Sequence, residues 1–223
     1  MPITIEALGH SGFLLSNGTH TLAIDPFCTG NPAATKTADQ IDCTHIAVTH
    51  GHADHYADVP AIAKRTGATV YANFEICSHL SEQGHDKCEP MNPGGKVITP
   101  FGWVALTQAF HSSSFEGRYM GQPCGVVVNL GGVTVYHLGD TALFGDLKLL
   151  GEIYNPHVAI IPVGDRFTMG PELGARAAEM IGAPVVIPCH YGTWPALAQD
   201  IGAFKPCGTE VRALASGEKT RVD

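Results

Sequence analysis

A six-residue segment, HGHADH at positions 50–55, places four side chains that can bind a metal ion close together. Residues 45–49 before it form a short run typical of a buried strand, so the segment follows the carboxyl end of that strand. In a chain that is still extended, side chains two positions apart point the same way, and His50 and His52 are therefore expected to share one metal. So many ligands at such regular spacing disfavour the alternative, an ordinary solvated loop rich in histidine.

The chain after this segment must turn into a helix, which we predict over Tyr56–Thr66. The turn carries Asp54 and His55 to another side of the loop, where they can serve a second metal. Catalytic zinc typically takes about three protein ligands and leaves one position for water, so the segment does not complete a site by itself.

Three further residues with metal-binding chemistry each end an apolar, strand-like run: His111, Asp140 and His190. Open sheets place their functional loops at the carboxyl ends of strands. A single histidine in such a position is more often a hydrogen-bonded surface residue. Together with the segment at 50–55, the three indicate a metal centre.

The order of these residues, HxHxDH followed by His, Asp and His, resembles the metallo-β-lactamase superfamily over nearly the whole chain. Other segments resemble one branch of it, the UPF0173 metal-dependent hydrolases, which are related to the ascorbate-6-phosphate lactonases. These segments are GHSGF at 9–13, DPF at 25–27 with GNP at 30–32, HSSS at 111–114, YHLGDT at 136–141 and FTMGP at 167–171. The resemblance implies an α/β (α+β) fold, the metallo-β-lactamase αββα four-layer sandwich of two mixed β-sheets flanked by helices, built by a single domain over residues 1–223.

The resemblance also implies how the ligands divide between two divalent metal ions per chain. One ion is assigned to His50, His52 and His111, the other to Asp54, His55 and His190, and Asp140 bridges both. Imidazole and carboxylate ligands favour zinc here and also fit manganese, iron, nickel or cobalt.

A centre of this kind is expected to make the chain a metal-dependent hydrolase. A divalent ion lowers the pKa of its bound water from about 16 to about 7, and a hydroxide bridging two ions is expected to attack a small ester, lactone, amide or phosphodiester. Asp140 would serve as the bridge and Asp54 would also orient the nucleophile, so no separate serine or cysteine nucleophile is required.

The alternative function is a metal-dependent redox or oxygen-handling protein of the same fold. Two features disfavour it: His52 stands where the oxygen-reducing diiron relatives have glutamate, and the sequence does not lead us to expect an attached flavin domain. The absence of cysteine from the ligand positions likewise disfavours an antibiotic-inactivating enzyme.

The composition favours a small-molecule substrate. The formal net charge is −8 and the 13 lysine and arginine residues are dispersed, whereas a nucleic-acid enzyme needs a basic stripe to neutralise phosphates. We therefore expect no nucleic-acid partner. No stretch approaches the roughly 20 apolar residues that span a membrane, so no membrane partner is expected either. A homo-oligomer is expected from the resemblance alone.

The cysteines and the N-terminus bear on localisation. The seven cysteines show no CxxC pairing and are expected to be free thiols, as is usual in a reducing compartment. The N-terminus lacks the basic and apolar regions of a signal peptide. We therefore predict a cytoplasmic protein.

Residues outside the ligand set are candidates for outer contacts. Asp25 either accepts a hydrogen bond from a ligand histidine or only forms a turn. His10 either lines the pocket or is an ordinary core histidine. Tyr191 and Trp194 either contact substrate or pack over the loop, and His137 is expected to be structural.

The remaining pattern predicts strands in meanders first and then strands that alternate with helices. The first strands are expected over Ile3–Leu8, Phe13–Ser16 and His20–Asp25. Further helices are expected over Asn73–Glu82, Asp146–Glu152, Pro171–Ile181 and Pro195–Ala203, and the last strand near Glu210–Ala215.

Overall fold

The structure, a computed structural model, describes residues 2–223. Its strands are β1 (Ile3–Gly9), β2 (Gly12–Ser16), β3 (Thr21–Ile24), β4 (His45–Ala47), β5 (Thr69–Asn73), β6 (Cys88–Met91), β7 (Lys96–Thr99), β8 (Gly102–Gln108), β9 (Ser114–Phe115), β10 (Arg118–Tyr119), β11 (Cys124–Leu130), β12 (Val133–His137), β13 (Val158–Pro162), β14 (Val185–Cys189), β15 (Glu210–Val211) and β16 (Lys219–Val222). The α-helices are α1 (Ala53–Tyr56), α2 (Val59–Thr66), α3 (Phe74–Glu82), α4 (Leu147–Tyr154) and α5 (Pro171–Ile181), with a short 3-10 helix at Ala38–Gln40.

The strands form two large mixed sheets of seven strands each. The first has the order β16-β1-β2-β3-β4-β5-β6 and the second the order β15-β14-β13-β12-β11-β8-β7. In the first sheet β16 to β3 pair antiparallel and β3 to β6 pair parallel. In the second, β7, β8, β11 and β12 pair antiparallel and β12 to β15 pair parallel. The predicted pair of mixed sheets is therefore confirmed.

The two sheets pack face to face and helices cover their outer faces. Alternate strand residues, among them Ile5 and Leu15 of the first sheet and Val126 and Ile160 of the second, form one buried cluster between the sheets. A second buried cluster lies between the first sheet and α1, α2 and α3, and a third lies between the second sheet and α4 and α5. Because the central strands are buried on both faces, they read as continuous apolar runs. The four layers are those that the resemblance implied.

The predicted helix over Pro195–Ala203 is wrong, because the structure has only turns there. The Gln199 side chain donates hydrogen bonds to the carbonyl oxygens of Trp194 and Leu197 at 2.8 and 2.9 Å. The Asp200 side chain accepts a hydrogen bond from the backbone of Gly202. Such side-chain bonds occupy backbone groups that a helix would need and so favour turns.

The chain's last strand is also not the predicted one. Strand β15 covers only Glu210–Val211, and the chain continues into β16, which pairs antiparallel with β1 at the edge of the first sheet. The sequence of β16, Lys-Thr-Arg-Val, is mostly charged or polar, as edge strands are, and it lacks the apolar run that marks a central strand. Strands β5 and β6 were not predicted either.

Membrane-spanning helices are not found in the described part of the chain. The longest helix of residues 2–223, α5, has 11 residues, and none has the length and apolarity required to cross a bilayer.

Candidate metal centre

The seven predicted ligands come from loops of both sheets and converge on one site. The segment at 50–55 follows β4 of the first sheet, whereas His111, Asp140 and His190 follow β8, β12 and β14 of the second. The packing of one sheet on the other is therefore what brings them together.

The first cluster consists of His50, His52 and His111, whose ligand nitrogens all lie within 4.8 Å of one another. Nε2 of His50 lies 3.0 Å from Nδ1 of His52. The backbone of His52 is extended, with φ −67° and ψ 152°. An extended chain is what places the side chains of His50 and His52 on the same side. Its other ring nitrogen, Nε2, lies 3.2 Å from the hydroxyl of Ser112.

The second cluster consists of Asp54, His55 and His190, joined by His10, again with ligand atoms within 4.8 Å of one another. Asp54 and His55 lie in the first turn of α1, which begins at Ala53. The predicted start of this helix at Tyr56 is therefore three residues too late. His52, which precedes α1, ends the extended segment, and this change of backbone conformation separates the two halves of the motif.

The carboxylate of Asp140 lies between the two clusters. Its Oδ2 atom is 3.5 Å from Nε2 of His111 on one side, and 3.5 and 3.0 Å from Nε2 of His55 and His190 on the other. Asp140 is almost fully buried. One oxygen atom thus faces ligand nitrogens of both clusters.

Asp25 supports both clusters from behind. It accepts a hydrogen bond from Nδ1 of His55 at 2.7 Å, and bonds from the backbone N–H and the hydroxyl of Thr49 at 2.8 and 2.6 Å. The same hydroxyl lies 3.0 Å from Nδ1 of His50. Since both oxygens of Asp25 accept hydrogen bonds, this carboxylate orients the ring of His55 directly and that of His50 through Thr49, an arrangement typical of the outer partners of metal-binding histidines.

His10 lies behind Asp54 and is not among the residues that line the pocket in front of the two clusters. Its Nε2 is 3.0 Å from Oδ2 of Asp54, and its Nδ1 is 2.9 Å from the hydroxyl of Thr193. An ionised carboxylate only accepts hydrogen bonds. His10 therefore donates from Nε2 to Asp54, and in the neutral ring Nδ1 accepts from Thr193.

The rings of the first cluster are neutral near pH 7. Burial lowers the pKa of His50 well below its usual range, and it also lowers the pKa values of His52 and His111. Neutral imidazole has the free lone pair that a metal requires.

The second cluster is strongly polar. Burial opposes ionisation of Asp140, but the neighbouring His55 and His190 outweigh it and hold the pKa of this carboxyl well below its usual range. Burial likewise opposes charge on His190, but Asp140 outweighs it and raises the pKa of His190 to about 9. Burial also opposes ionisation of Asp54, but His55, His10 and His190 outweigh it and hold the pKa of this carboxyl well below its usual range. Asp54 and Asp140 are therefore both held as anions beside imidazole rings.

The donor set fits divalent metal ions. Nε2 of His55 and Oδ1 of Asp140 are buried without a hydrogen-bond partner among the described residues. Buried polar atoms are nearly always paired, and unpaired ones cost free energy. The two atoms belong to groups that face the clusters, and imidazole with carboxylate suits zinc and neighbouring transition metals.

A pocket of about 400 Å³ opens onto these clusters. Its lining residues are His52, Asp54, His111, Ser112, Asp140, Phe167, His190 and Trp194. Trp194 thus lies where substrate contact was considered, whereas Tyr191 does not line this pocket and packs against the core under α5. Phe167 was not singled out as a site residue, although it lies in a segment that carried the resemblance.

Other residues near the site have structural surroundings. His137 is buried, with Nε2 3.0 Å from the carbonyl of Ser11, and its Nδ1 accepts a hydrogen bond from the N–H of Gly139. Ser113 is buried too, and its hydroxyl accepts from the N–H of Gly51 at 3.0 Å. The Cys189 side chain is buried between the sheets.

Comparisons with known proteins identify the family of the chain. Residues 20–191 match the family described as the Beta-lactamase superfamily domain. A UPF0173 metal-dependent hydrolase of Thermus thermophilus is 44% identical over 226 residues, covering 99% of this chain and 100% of the relative. One of Symbiobacterium thermophilum is 50% identical over 203 residues, covering 90% of this chain and 89% of the relative.

A solved structure gives the same result for the fold. A metallo hydrolase from the hyperthermophilic archaeon Ignicoccus hospitalis is 32% identical and superposes with a TM-score of 0.90, covering 100% of this chain and 99% of that one. The profile match and the full-length identities leave one assignment: the chain belongs to the metallo-β-lactamase superfamily, in its UPF0173 branch, and is a metal-dependent hydrolase.

Proposed function

We propose that the chain is a dinuclear hydrolase of a small ester, lactone, amide or phosphodiester. His50, His52 and His111 would hold one metal ion, Asp54, His55 and His190 the other, and Asp140 would bridge them. The observation that carries this proposal is the position of Asp140 Oδ2, 3.5 Å from His111 and 3.0 Å from His190.

The metal ions supply one part of the chemistry: when bound, they lower the pKa of coordinated water and polarise the carbonyl or phosphoryl oxygen of the substrate. The protein supplies the rest. Asp140, whose Oδ2 faces both clusters, would offset the repulsion between two bound cations with its negative charge. Asp54 lines the pocket, and its Oδ2 accepts a hydrogen bond from His10. This bond holds the carboxylate of Asp54 near His55 and His190.

Several features support a small substrate and one catalytic domain over residues 1–223. The pocket volume of about 400 Å³ suits a small molecule. Ligands from both sheets share one site, and one buried cluster joins the sheets. All seven cysteines are free thiols, which supports the predicted cytoplasmic location. Zinc remains the favoured metal, and the redox alternative is disfavoured because the relatives are named as hydrolases.

The test is metal analysis combined with a substrate screen. Anaerobically reconstituted protein is expected to hold two equivalents of zinc, manganese or iron, and to hydrolyse at least one substrate in a panel of esters, lactones and phosphodiesters without consuming oxygen. A ceiling of one equivalent would refute the dinuclear centre. Oxygen consumption coupled to turnover would favour the redox alternative instead.

Two variants complete this test. Asp140→Asn keeps the side-chain shape but removes the charge, and is expected to lower both metal content and turnover. Ser112→Ala is expected to keep substantial activity, since no serine serves as nucleophile. Two retained metals with normal turnover in Asp140→Asn would remove its bridging role, and abolition of activity by Ser112→Ala would indicate covalent catalysis.

A further inference from the structure

Phe167 lines the metal pocket and is not part of the buried core. Its side chain is 56% exposed and lies in the loop between β13 and α5. A single exposed aromatic residue is common on protein surfaces and indicates little by itself. The backbone that presents Phe167, however, is unusual.

The two residues before Phe167 both adopt left-handed backbone conformations. Asp165 has φ 61° and Arg166 has φ 38°, and neither is glycine. Such conformations are strained and persist only where the surrounding structure holds them, which is often at binding sites. Here the N–H of Asp165 donates to the carbonyl of the buried Met169 at 2.9 Å, and the N–H of Met169 donates to the carbonyl of Thr141, next to Asp140. The turn is thereby fixed to the segment that carries the bridging carboxylate.

Trp194 provides a second aromatic surface in the same pocket. Its ring packs against His10, with 4.7 Å between ring centroids, and against Phe27 at 6.0 Å. Its carbonyl oxygen accepts hydrogen bonds from the N–H of Leu197 and the side chain of Gln199. Trp194 is therefore held in place before any substrate binds.

The pocket lining contains no lysine or arginine among the described residues. The lining side chains that can contact an anionic group are the histidines of the metal clusters and two neutral donors, the hydroxyl of Ser112 and the indole N–H of Trp194. The guanidinium of Arg166 lies 5.6 Å from the ring centroid of Phe167, but Arg166 does not line the pocket. A phosphate or carboxylate away from the metal clusters would therefore lose solvation without gaining a lysine or arginine as an ion-pair partner in the lining.

We propose that Phe167 and Trp194 determine specificity by binding an uncharged apolar or aromatic group of the substrate, beside the bond that is cleaved. This inference rests on the proposed function for the reaction, but it concerns the part of the substrate that does not react. It predicts that phosphorylated lactones are poor substrates and that neutral esters or lactones with an apolar substituent are good ones.

Binding can be tested without catalysis. The chain has two tryptophans, so Trp103→Phe leaves Trp194 as the only tryptophan. In that background, titration of the metal-loaded protein with nitrobenzene is expected to quench Trp194 fluorescence with saturation. Phe167→Ala is expected to weaken this binding about tenfold, as the loss of one aromatic contact and its buried area predicts. Phe74→Ala is the matched control, because Phe74 is 58% exposed and does not line the pocket.

Kinetics with a substrate found in the screen provide the second measurement. Phe167→Ala is expected to raise KM for neutral aromatic esters about tenfold with little change in kcat, and to keep its metal content and melting temperature. Unsaturable quenching, or equal binding by Phe167→Ala and the Trp103→Phe parent, would overturn the inference. So would a preference for 4-nitrophenyl phosphate over a neutral 4-nitrophenyl ester that Arg166→Gln abolishes.

These outcomes separate the inference from the proposed function. Saturable, Phe167-dependent quenching without hydrolysis of any tested substrate would leave the aromatic site intact and contradict the hydrolytic proposal. Hydrolysis that is insensitive to Phe167→Ala and to apolar substituents would do the reverse.

Discussion

The carboxylate of Asp25 and the imidazole of His55 share a 2.7 Å hydrogen bond in the interior, where neither side chain is exposed. Through the hydroxyl of Thr49, the same carboxylate also reaches Nδ1 of His50. One acidic group therefore orients one ring in each of the two clusters. The backbone of Asp25 is left-handed, with φ 44°, which an aspartate tolerates better than most residues.

We predict that Asp25→Asn weakens metal binding at both clusters. The amide carries no charge and replaces one acceptor oxygen by a donor, so it cannot keep its bonds to both Thr49 and His55 as they are. Loss of such an outer partner typically costs about 10–100-fold in metal affinity. Competition with a chromophoric chelator measures this loss. Asp42→Asn is the control, since the Asp42 side chain is 90% exposed, and equal affinities in the two variants would contradict the prediction.

We predict that His10→Ala acts only on the second cluster. His10 donates to Asp54 at 3.0 Å, and its ring lies against His55 and His190, which belong to the second cluster as well. Affinity for the second equivalent of metal is expected to fall about tenfold, with the first unchanged. Cobalt titrations followed by absorption would resolve the two equivalents.

Two further variants test whether His10 acts through its hydrogen bonds to Thr193 and Asp54. Thr193→Val removes the hydroxyl that lies 2.9 Å from Nδ1 of His10 and is expected to give the same pattern in weaker form. Asp54→Asn is expected to give it in stronger form, because it alters the ligand itself. A uniform loss at both equivalents in His10→Ala would show that the effect is a general loss of structure.

Gly51 is required by close packing, and we predict that Gly51→Ala disrupts the metal segment. A Cβ atom at this position would lie 2.2 Å from Cβ of Met120, which is fully buried. The segment at 50–55 or the chain around Met120 would have to move, and metal content and melting temperature should both drop. Gly145→Ala is the control, since a Cβ there meets nothing within 4 Å. A fully metallated Gly51→Ala protein of normal stability would refute this explanation of the glycine spacer.

We predict that the buried His45, which contacts the half-buried His20, makes the fold sensitive to acid at a place remote from the metal ligands. Their ring nitrogens lie 3.2 Å apart, and His45 packs edge-on against Phe101. Burial, with a smaller effect of His20, lowers the pKa of His45 to about 4 from 6.5. Between these values the unfolded chain binds more protons than the folded one, so the stabilising contribution is present above pH 6.5 and is lost as the pH falls toward 4.

Urea unfolding of the metal-free protein tests this prediction. From pH 7 to pH 4.5 the parent is expected to lose more of its free energy of unfolding than His45→Leu, which does not titrate at this position. The metal-free form is used so that metal release does not contribute. Parallel losses in the two proteins would exclude His45 as a source of the pH dependence.

Local patterns in the sequence were sufficient for most of the fold. The strand-like runs predicted before Asp140 and His190 are β12 and β14, and both are buried on both faces, so their sequence shows burial directly. Strand β16 was missed, and a helix was predicted where turns follow Trp194; the two errors have opposite reasons. Strand β16 has charged residues because it is an edge strand, and the segment after Trp194 has helix-forming residues whose backbone groups bond to side chains.

The sequence by itself determined the donor chemistry of the site, because each donor follows a recognisable strand and the spacing of HxHxDH sets local backbone geometry. Only the tertiary structure decided which side chains stand behind the donors. His10 meets Asp54 across 44 positions and Thr193 across 183, and Phe167 reaches the pocket through a strained turn. These contacts form because the two sheets pack against each other through the apolar cluster between them. A local sequence pattern cannot show which residues this packing brings together when they are so far apart in the chain.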